Sequence, residues 1–351
     1  MSDHLFPNAS ASMAAWLARG ERQEITVVDS HTAGNPTRIV LDGLDVPPHV
    51  RGVDATRAWL REHADHWRRR LVHEPRGGGL TCAVLPVATD EDGCDIGAVI
   101  MEPGSYPPMC GHCMIGFATV ITELGLLPQV PAGAPFRIRT PAGPVTVQAI
   151  HEAGQAPRIT LTNVESYVVA QWQCTVEGRA LPVELLYGGD YYLAVDADRI
   201  GLSLARDNAI EIVRLARALR EAATEPGIRD PLSGEHLDVY QVLFYHYDPR
   251  TPLQASIVVV APPGVIDRSP CGTGTSALFA KLVSEGHVQP DQQVTTQSII
   301  GSTFSVTAHH VRSTAQRLYV TPAVTGQAFI NGFLTIAADA HDALADGFAP
   351  L

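Results

Sequence analysis

Two stretches of the chain repeat one another, and any fold must accommodate both. The first is Met109-Cys110-Gly111-His112, continuing as Cys113-Met114-Ile115-Gly116-Phe117-Ala118-Thr119-Val120. The second is Pro270-Cys271-Gly272-Thr273, continuing as Gly274-Thr275-Ser276-Ala277-Leu278-Phe279-Ala280-Lys281. Each sets a Cys-Gly step at the head of a run of small and apolar residues, which predicts a buried helix. Each run stops at a glycine placed as a helix terminator, Gly125 and Gly286. One such cysteine would be unremarkable; two on related helices predict a pair of thiols meeting between two similar halves.

The surrounding elements repeat as well. Strands are expected at Ile25–Asp29 and Thr37–Leu41, on either side of a polar turn from Ser30 to Pro36. A helix is expected from Asp54 to Leu71, then strands at Thr81–Val87 and Ile96–Met101 around an acidic turn, Asp90 to Gly93. After the first cysteine helix come strands at 136–139, 145–150 and 158–161. The second half opens with a short strand at Val183–Leu186 and the turn Tyr187-Gly188-Gly189-Asp190-Tyr191-Tyr192. A long amphipathic helix over about 205–223 follows, then strands at 238–245 and 255–260 and the second cysteine helix. Strands at 294–296, 304–308, 318–321 and 328–334 complete the series. Antiparallel strands mixed with one central helix, occurring twice, predict a duplicated α+β architecture rather than a nucleotide-binding alternation of parallel strands.

Length and charge narrow the functions. A chain of 351 residues with 45% hydrophobic content supports about two domains. The formal net charge of -12 argues against nucleic acid or an anionic membrane as partner. No apolar run approaches a membrane span, and Met1 to Gln23 reads as a loose tail or short irregular helix rather than a leader. A chain this large does not need its six cysteines as disulfides, so a cytoplasmic protein with reduced thiols is expected.

The chemistry follows from the helix starts. A helix N-terminus has unpaired N–H groups and a positive dipole end, so a cysteine there is expected to have its pKa lowered from about 8.5 toward neutral. The same N–H groups can bind a carboxylate. Two such ends facing one another would hold a carboxylate between them, with a sulfur on each side of the adjacent carbon. One thiolate could remove the α-proton while the other thiol returns one to the opposite face. Many racemases stabilise the carbanion with pyridoxal phosphate on a lysine. The one lysine here, Lys281, lies ten residues into an apolar helix, so no cofactor is expected.

Met-Cys-Gly-His at 109–112 and Asp-Arg-Ser-Pro-Cys-Gly-Thr-Gly-Thr at 267–275 resemble the two signature motifs of the proline racemase family. Ser30 to Pro36, Glu74-Pro75-Arg76-Gly77 and Tyr187 to Tyr192 match lesser motifs, so the resemblance runs from about Ile25 to Leu334. It implies a diaminopimelate epimerase-like fold with two pseudo-symmetric domains. The expected limits are 21–165 plus about 327–345 for the domain carrying Cys110, and 166–326 for the domain carrying Cys271. The active site would lie between them.

By the same resemblance Cys110 and Cys271 match the two bases. Gly111, His112, Gly272 and Thr273 match positions that hold the substrate carboxylate, and Asp267 matches the partner of the ring ammonium. Cys82 and Ala261 fall where proline racemases carry bulky aromatic walls, leaving room for a ring hydroxyl, and Asp190 stands where many members have Asn. Tyr240-Gln241-Val242-Leu243-Phe244 lacks the His-containing pattern associated with 4-hydroxyproline epimerases. The substrate is thus left between proline and hydroxyproline. Family dehydratases acting on trans-3-hydroxyproline carry Thr where this chain has Cys271, so two cysteines favour a racemase or epimerase over a dehydratase or a non-catalytic binding protein. A homodimer is the expected assembly.

The remaining candidates have plainer readings. Cys110 and Cys113 spell C-x-x-C, but no second pair or spaced histidines complete a metal site, so no metal is expected and Cys113 is read as wall or core. Cys94 and Cys174 are read as packing residues.

Overall fold

The computed structural model describes residues 8–18, 22–89, 91, 93–224, 227–251 and 253–349. Positions 90 and 92 of the expected acidic turn lie outside these, as do position 21 and residues 1–7; the N-terminal helix spans Ala9–Leu17.

In the first half, the strands Arg22–Thr32 and Asn35–Asp42 pair antiparallel down to Thr32 opposite Asn35. The polar segment expected as a broad turn is therefore mostly strand. Only Ala33 and Gly34 turn, both at positive φ (50° and 96°), as a two-residue hairpin requires. The expected helix from Asp54 to Leu71 is two helices, Val53–His63 and Asp65–Val72, separated where Ala64 leaves helical geometry at φ -141°.

Further strands at Cys82–Val87, Ile96–Met101, Phe136–Thr140, Gly143–Ile150 and Arg158–Thr162 extend this sheet. It is closed by Leu318–Asp339, one strand of 22 residues where two short ones were expected. Residues 323–327 of that strand pair with Arg158–Thr162, and 328–339 pair with Arg22–Thr32. The ring of strands surrounds the helix Gly111–Leu124, whose residues from Gly111 to Ile121 are buried on every side. Gly125 ends it in the left-handed region at φ 62°.

The second half wraps the helix Gly272–Ser284 in a sheet that is not closed by a strand ladder; a single bridge, Ser166 to Val320, ties its far end to the long strand. Its strands are Tyr167–Val176, Arg179–Tyr187, Tyr191–Asp196, Gln241–Tyr247, Gln254–Ala261, Val294–Gln297 and Thr303–Ser313. The helix Ala209–Thr224 covers its outer face, with Ile212, Ala216 and Leu219 in the apolar cluster beneath. The repeat is visible in strand direction. In the first half, parallel steps join Thr37 to Cys82 and Ile96 to Ile138; in the second, they join Tyr192 to Gln241 and Gln254 to Thr295. One apolar core runs through both, including Phe117 and Ile121 from one cysteine helix and Leu278 and Phe279 from the other. Among the described residues no helix is long and apolar enough to cross a membrane.

Candidate active site

Both cysteines immediately precede their helices. Cys110 is extended (φ -143°), whereas Cys271 sits at φ +55°, a conformation a side chain adopts only when its surroundings over-determine it. The two helix ends touch. A Cβ placed on Gly111 would lie 2.6 Å from the Cα of Gly272, so only glycine allows the approach. Beside this contact lies a cavity lined by Cys110 and Cys271 together, with His112, Asp267, Thr273, Cys82 and Ala261. Gly111 and Gly272 contribute the contact between the helices rather than the cavity lining.

Asp190, expected as a wall, does not line this cavity; it lines a neighbouring one with Tyr240, and its carboxylate accepts from Gln241 Nε2 at 2.7 Å, Tyr240 Oη at 3.1 Å and the Tyr191 N–H at 2.8 Å. Gln241 is the residue that reaches the cavity. Burial pushes Asp190 up to about 7, against the pull of those donors.

His112 is held from several sides. Asn35 Oδ1 accepts the Arg268 N–H at 3.1 Å, which turns the amide nitrogen toward His112 Nε2, 3.1 Å away. In the neutral ring the Asn35 side-chain N–H donates to Nε2 and the single ring proton sits on Nδ1. That atom faces Cys110 Sγ at 3.2 Å and Asp267 at 4.0 Å. Burial opposes a second ring proton, but Cys110, Asp267 and Glu102 outweigh it and push His112 up to about 9.

Across the cavity, Cys271 Sγ lies 3.4 Å from both Tyr192 Oη and the Gly274 N–H. Tyr192 Oη is also 2.6 Å from Thr273 Oγ1. Asp267 accepts the Ser269 N–H at 2.8 Å, and Ser269 Oγ accepts the Cys271 N–H at 3.1 Å, so carboxylate and thiol share one turn. Burial raises Asp267, partly offset by His112.

The thiols do not have the lowered pKa expected from helix ends alone. Burial, reinforced by the Asp267 charge, pushes Cys271 up to about 12 against Tyr192, Thr273 and the Gly274 N–H. At Cys110 the contact with Cys113 pulls downward most, but Cys82 and burial together carry the thiol above its ordinary value. In the closed site, removal from water outweighs the helix dipole.

The sequence motifs assign no role to Glu102, Tyr192, Asn35 or Gln241, all of which line the cavity. Tyr192 and Asn35 stand inside two of the lesser motifs. Glu102 carries no local signal beyond following a buried strand. Lys281 is away from this chemistry, with Nζ in ion pairs to Glu184 (3.3 Å) and Glu285. Cys113 is fully buried, and its sulfur lies 3.5 Å from His112 Nε2; Cys82 joins these two in a compact cluster.

Comparison with known proteins gives this geometry a context. The proline racemase family profile matches residues 27–349. The 4-hydroxyproline 2-epimerase of Streptosporangium roseum is 34% identical over 92% of this chain and 97% of its own. The trans-3-hydroxy-L-proline dehydratase of Bacillus cereus is 31% identical over 92% and 97%. The crystal structure of a hydroxyproline epimerase from Agrobacterium vitis, with bound trans-4-hydroxy-L-proline, superposes with a TM-score of 0.83 at 29% identity, covering 93% of this chain and 95% of that one. The fold is thus α+β and diaminopimelate epimerase-like, as the sequence predicts.

Proposed function

Since this chain belongs to the proline racemase family, we propose that it is an isomerase inverting Cα of a cyclic imino acid, 4-hydroxyproline before proline, with Cys110 and Cys271 as paired bases. The observation that carries this reading is the shared cavity: two thiols from opposite helix starts line one space together with Asp267, His112 and Thr273.

In the proposed mechanism, the substrate carboxylate lies between the helix ends, against their N–H groups, the His112 ring and the Thr273 hydroxyl. Asp267 takes the ring ammonium. One cysteine enters as thiolate, removes the α-proton, and the other delivers its proton to the opposite face. The products differ from the substrates only at Cα, and the thiol roles are exchanged after each turnover. His112 Nδ1–H, 3.2 Å from Cys110, and Tyr192 Oη, 3.4 Å from Cys271, are placed to stabilise whichever sulfur is charged. The helix ends stabilise the charge that develops on the carboxylate as the proton leaves. The chemistry assigned to these side chains uses no cofactor.

The hydroxyproline preference rests on the walls. Cys82 and Ala261 are small, and Glu102 and Gln241 supply polar contacts that a ring hydroxyl can use and unsubstituted proline cannot. The domains proposed to part for substrate entry are 21–165 with about 327–345, and 166–326. Assembly as a homodimer and residence in the cytoplasm belong to the same proposal, the latter supported by six cysteines outside any disulfide. The test is a substrate panel of L- and D-proline, the 4-hydroxyproline epimers and trans-3-hydroxy-L-proline, read by chiral separation. Inversion at Cα of hydroxyproline supports the proposal. Water loss from the 3-hydroxy compound without inversion would instead make it a dehydratase.

A further inference from the structure

Three soft donors meet on the Cys110 side of the cavity. The sulfurs of Cys82 and Cys113 and a ring nitrogen of His112 all lie within 4.8 Å of one another, and all three residues are buried. They come from different places: Cys82 from the start of a strand, His112 and Cys113 from the first turn of a helix. The parallel pairing of Thr37 with Cys82 sets the strand start beside that turn.

We propose that Cys82, His112 and Cys113 form a site for one thiophilic divalent ion, zinc in the first instance, and that its occupation switches off the Cys110 thiol beside it. Zinc takes sulfur at about 2.3 Å and imidazole nitrogen at about 2.0–2.1 Å in a tetrahedron, which sets nitrogen and sulfur about 3.5 Å apart. The separation of Cys113 Sγ from His112 Nε2 is 3.5 Å. Asn35 holds Nε2 toward the cluster; the ion takes that nitrogen's lone pair in place of the hydrogen bond or of the ring's second proton.

Charge and space both suit an ion. Two thiolates and a neutral imidazole around a dication leave no net charge, which a buried position needs. The balance is simple: each ligand gives up to solvent the proton that blocks its donor atom, and no oxidant or reductant is involved. Cys82 and His112 also line the cavity, whose volume of about 40 Å³ leaves a place for a fourth ligand. Cys110 Sγ, 3.9 Å from His112 Nε2, borders that fourth position. An occupied site therefore takes His112 away from Cys110 and draws that sulfur toward the metal.

The inhibitory consequence rests on the role proposed for Cys110; the binding does not. Cobalt(II) is the probe, added to the reduced, metal-free full chain under a non-coordinating reductant. The expected result is one cobalt per chain, with sulfur-to-cobalt charge-transfer absorption and the visible bands of a tetrahedral ion. Zinc should displace it, and binding should release protons to the buffer. Cys113→Ala should weaken binding by about 100-fold or more and remove the charge-transfer band. Cys82→Ser serves as an independent second variant, with circular dichroism checking that each is folded. Inversion by the unsubstituted chain should fall in step with zinc occupancy and return with a chelator. Each variant is compared with its own metal-free rate, and zinc should inhibit both variants only at correspondingly higher concentration. Absence of the sulfur band, or zinc inhibition equally tight in Cys113→Ala, would overturn the proposal. A binding site without inhibition would keep the metal site and remove its control of Cys110.

Discussion

Gly111 and Gly272 meet backbone against backbone, each filling the space where the other's side chain would stand. A Cβ on Gly111 would lie 2.6 Å from Gly272 Cα, and one on Gly272 would lie 2.8 Å from Gly111 Cα. Both clashes are with backbone, so neither can be relieved by a rotamer change. Alanine at either position must push the helix starts apart. Gly111→Ala or Gly272→Ala is expected to cost about 1–3 kcal/mol of stability and up to about 100-fold in kcat/KM through misplaced thiols. Thermal melts and kinetics of the pair check this; an alanine variant with unchanged rates would show that the contact does not set thiol spacing.

Replacing either thiol by a hydroxyl should stop inversion. For Cys110→Ser and Cys271→Ser we expect losses of about 10²–10⁴-fold or more. In deuterated water, product from the unsubstituted chain should carry deuterium at Cα from the first turnover while recovered substrate stays largely protiated. Each serine variant should retain slow exchange on only one enantiomer, through its remaining cysteine. Full inversion by either variant would remove that cysteine from the chemistry.

The two cysteine helices are legible in the sequence itself, because cysteine, glycine and the apolar run are local signals. The stops at Gly125 and Gly286, both at positive φ, are legible for the same reason. What is not legible depends on distant partners. Leu318–Asp339 alternates buried and partly exposed positions through much of its length, yet Pro322, Gly326 and Gly332 make it read as fragments. Pairing with three other strands holds it together. The strand Tyr167–Val176 is absent from the expected series, and one helix is expected where Ala64 divides two. Burial of the thiols, which reverses the pKa direction expected of helix ends, requires both halves to be assembled.

Tyr192→Phe removes the hydroxyl 3.4 Å from Cys271 Sγ and 2.6 Å from Thr273 Oγ1. A hydrogen bond to a charged group contributes about 1.5–3 kcal/mol, so the variant should lose roughly tenfold or more in kcat/KM. The loss should be equal in both directions, because the overall equilibrium constant fixes their ratio. The limb of the pH profile that reports thiol ionisation should move up by about one unit. A pH profile that does not move would limit Tyr192 to packing.

Asp190 gives a pH signature of its own. Its pKa rises from an ordinary value near 4 to about 7 on folding, chiefly through burial. A raised value means the folded chain holds the proton more tightly, so that contribution to stability is complete below pH 4 and is lost as pH rises through 7. About three units correspond to an effect on the order of 4 kcal/mol. Asp190→Asn has no such titration. The variant should therefore gain on the unsubstituted chain between pH 4 and 8, as seen in melts across that range. A difference independent of pH would mean that Asp190 does not carry this proton.

The strand Leu318–Asp339 also decides when the first half can be finished. Its residues 328–339 are the stave beside Arg22–Thr32, so the ring around Gly111–Leu124 stays open until the chain has been synthesised almost to residue 340. The first cysteine helix then emerges from the ribosome long before its last wall exists. The two halves look like duplicated modules, but expressing residues 22–165 alone would leave a barrel with a missing plank and an apolar helix facing water. Duplication made the halves alike; the shared final strand made them inseparable.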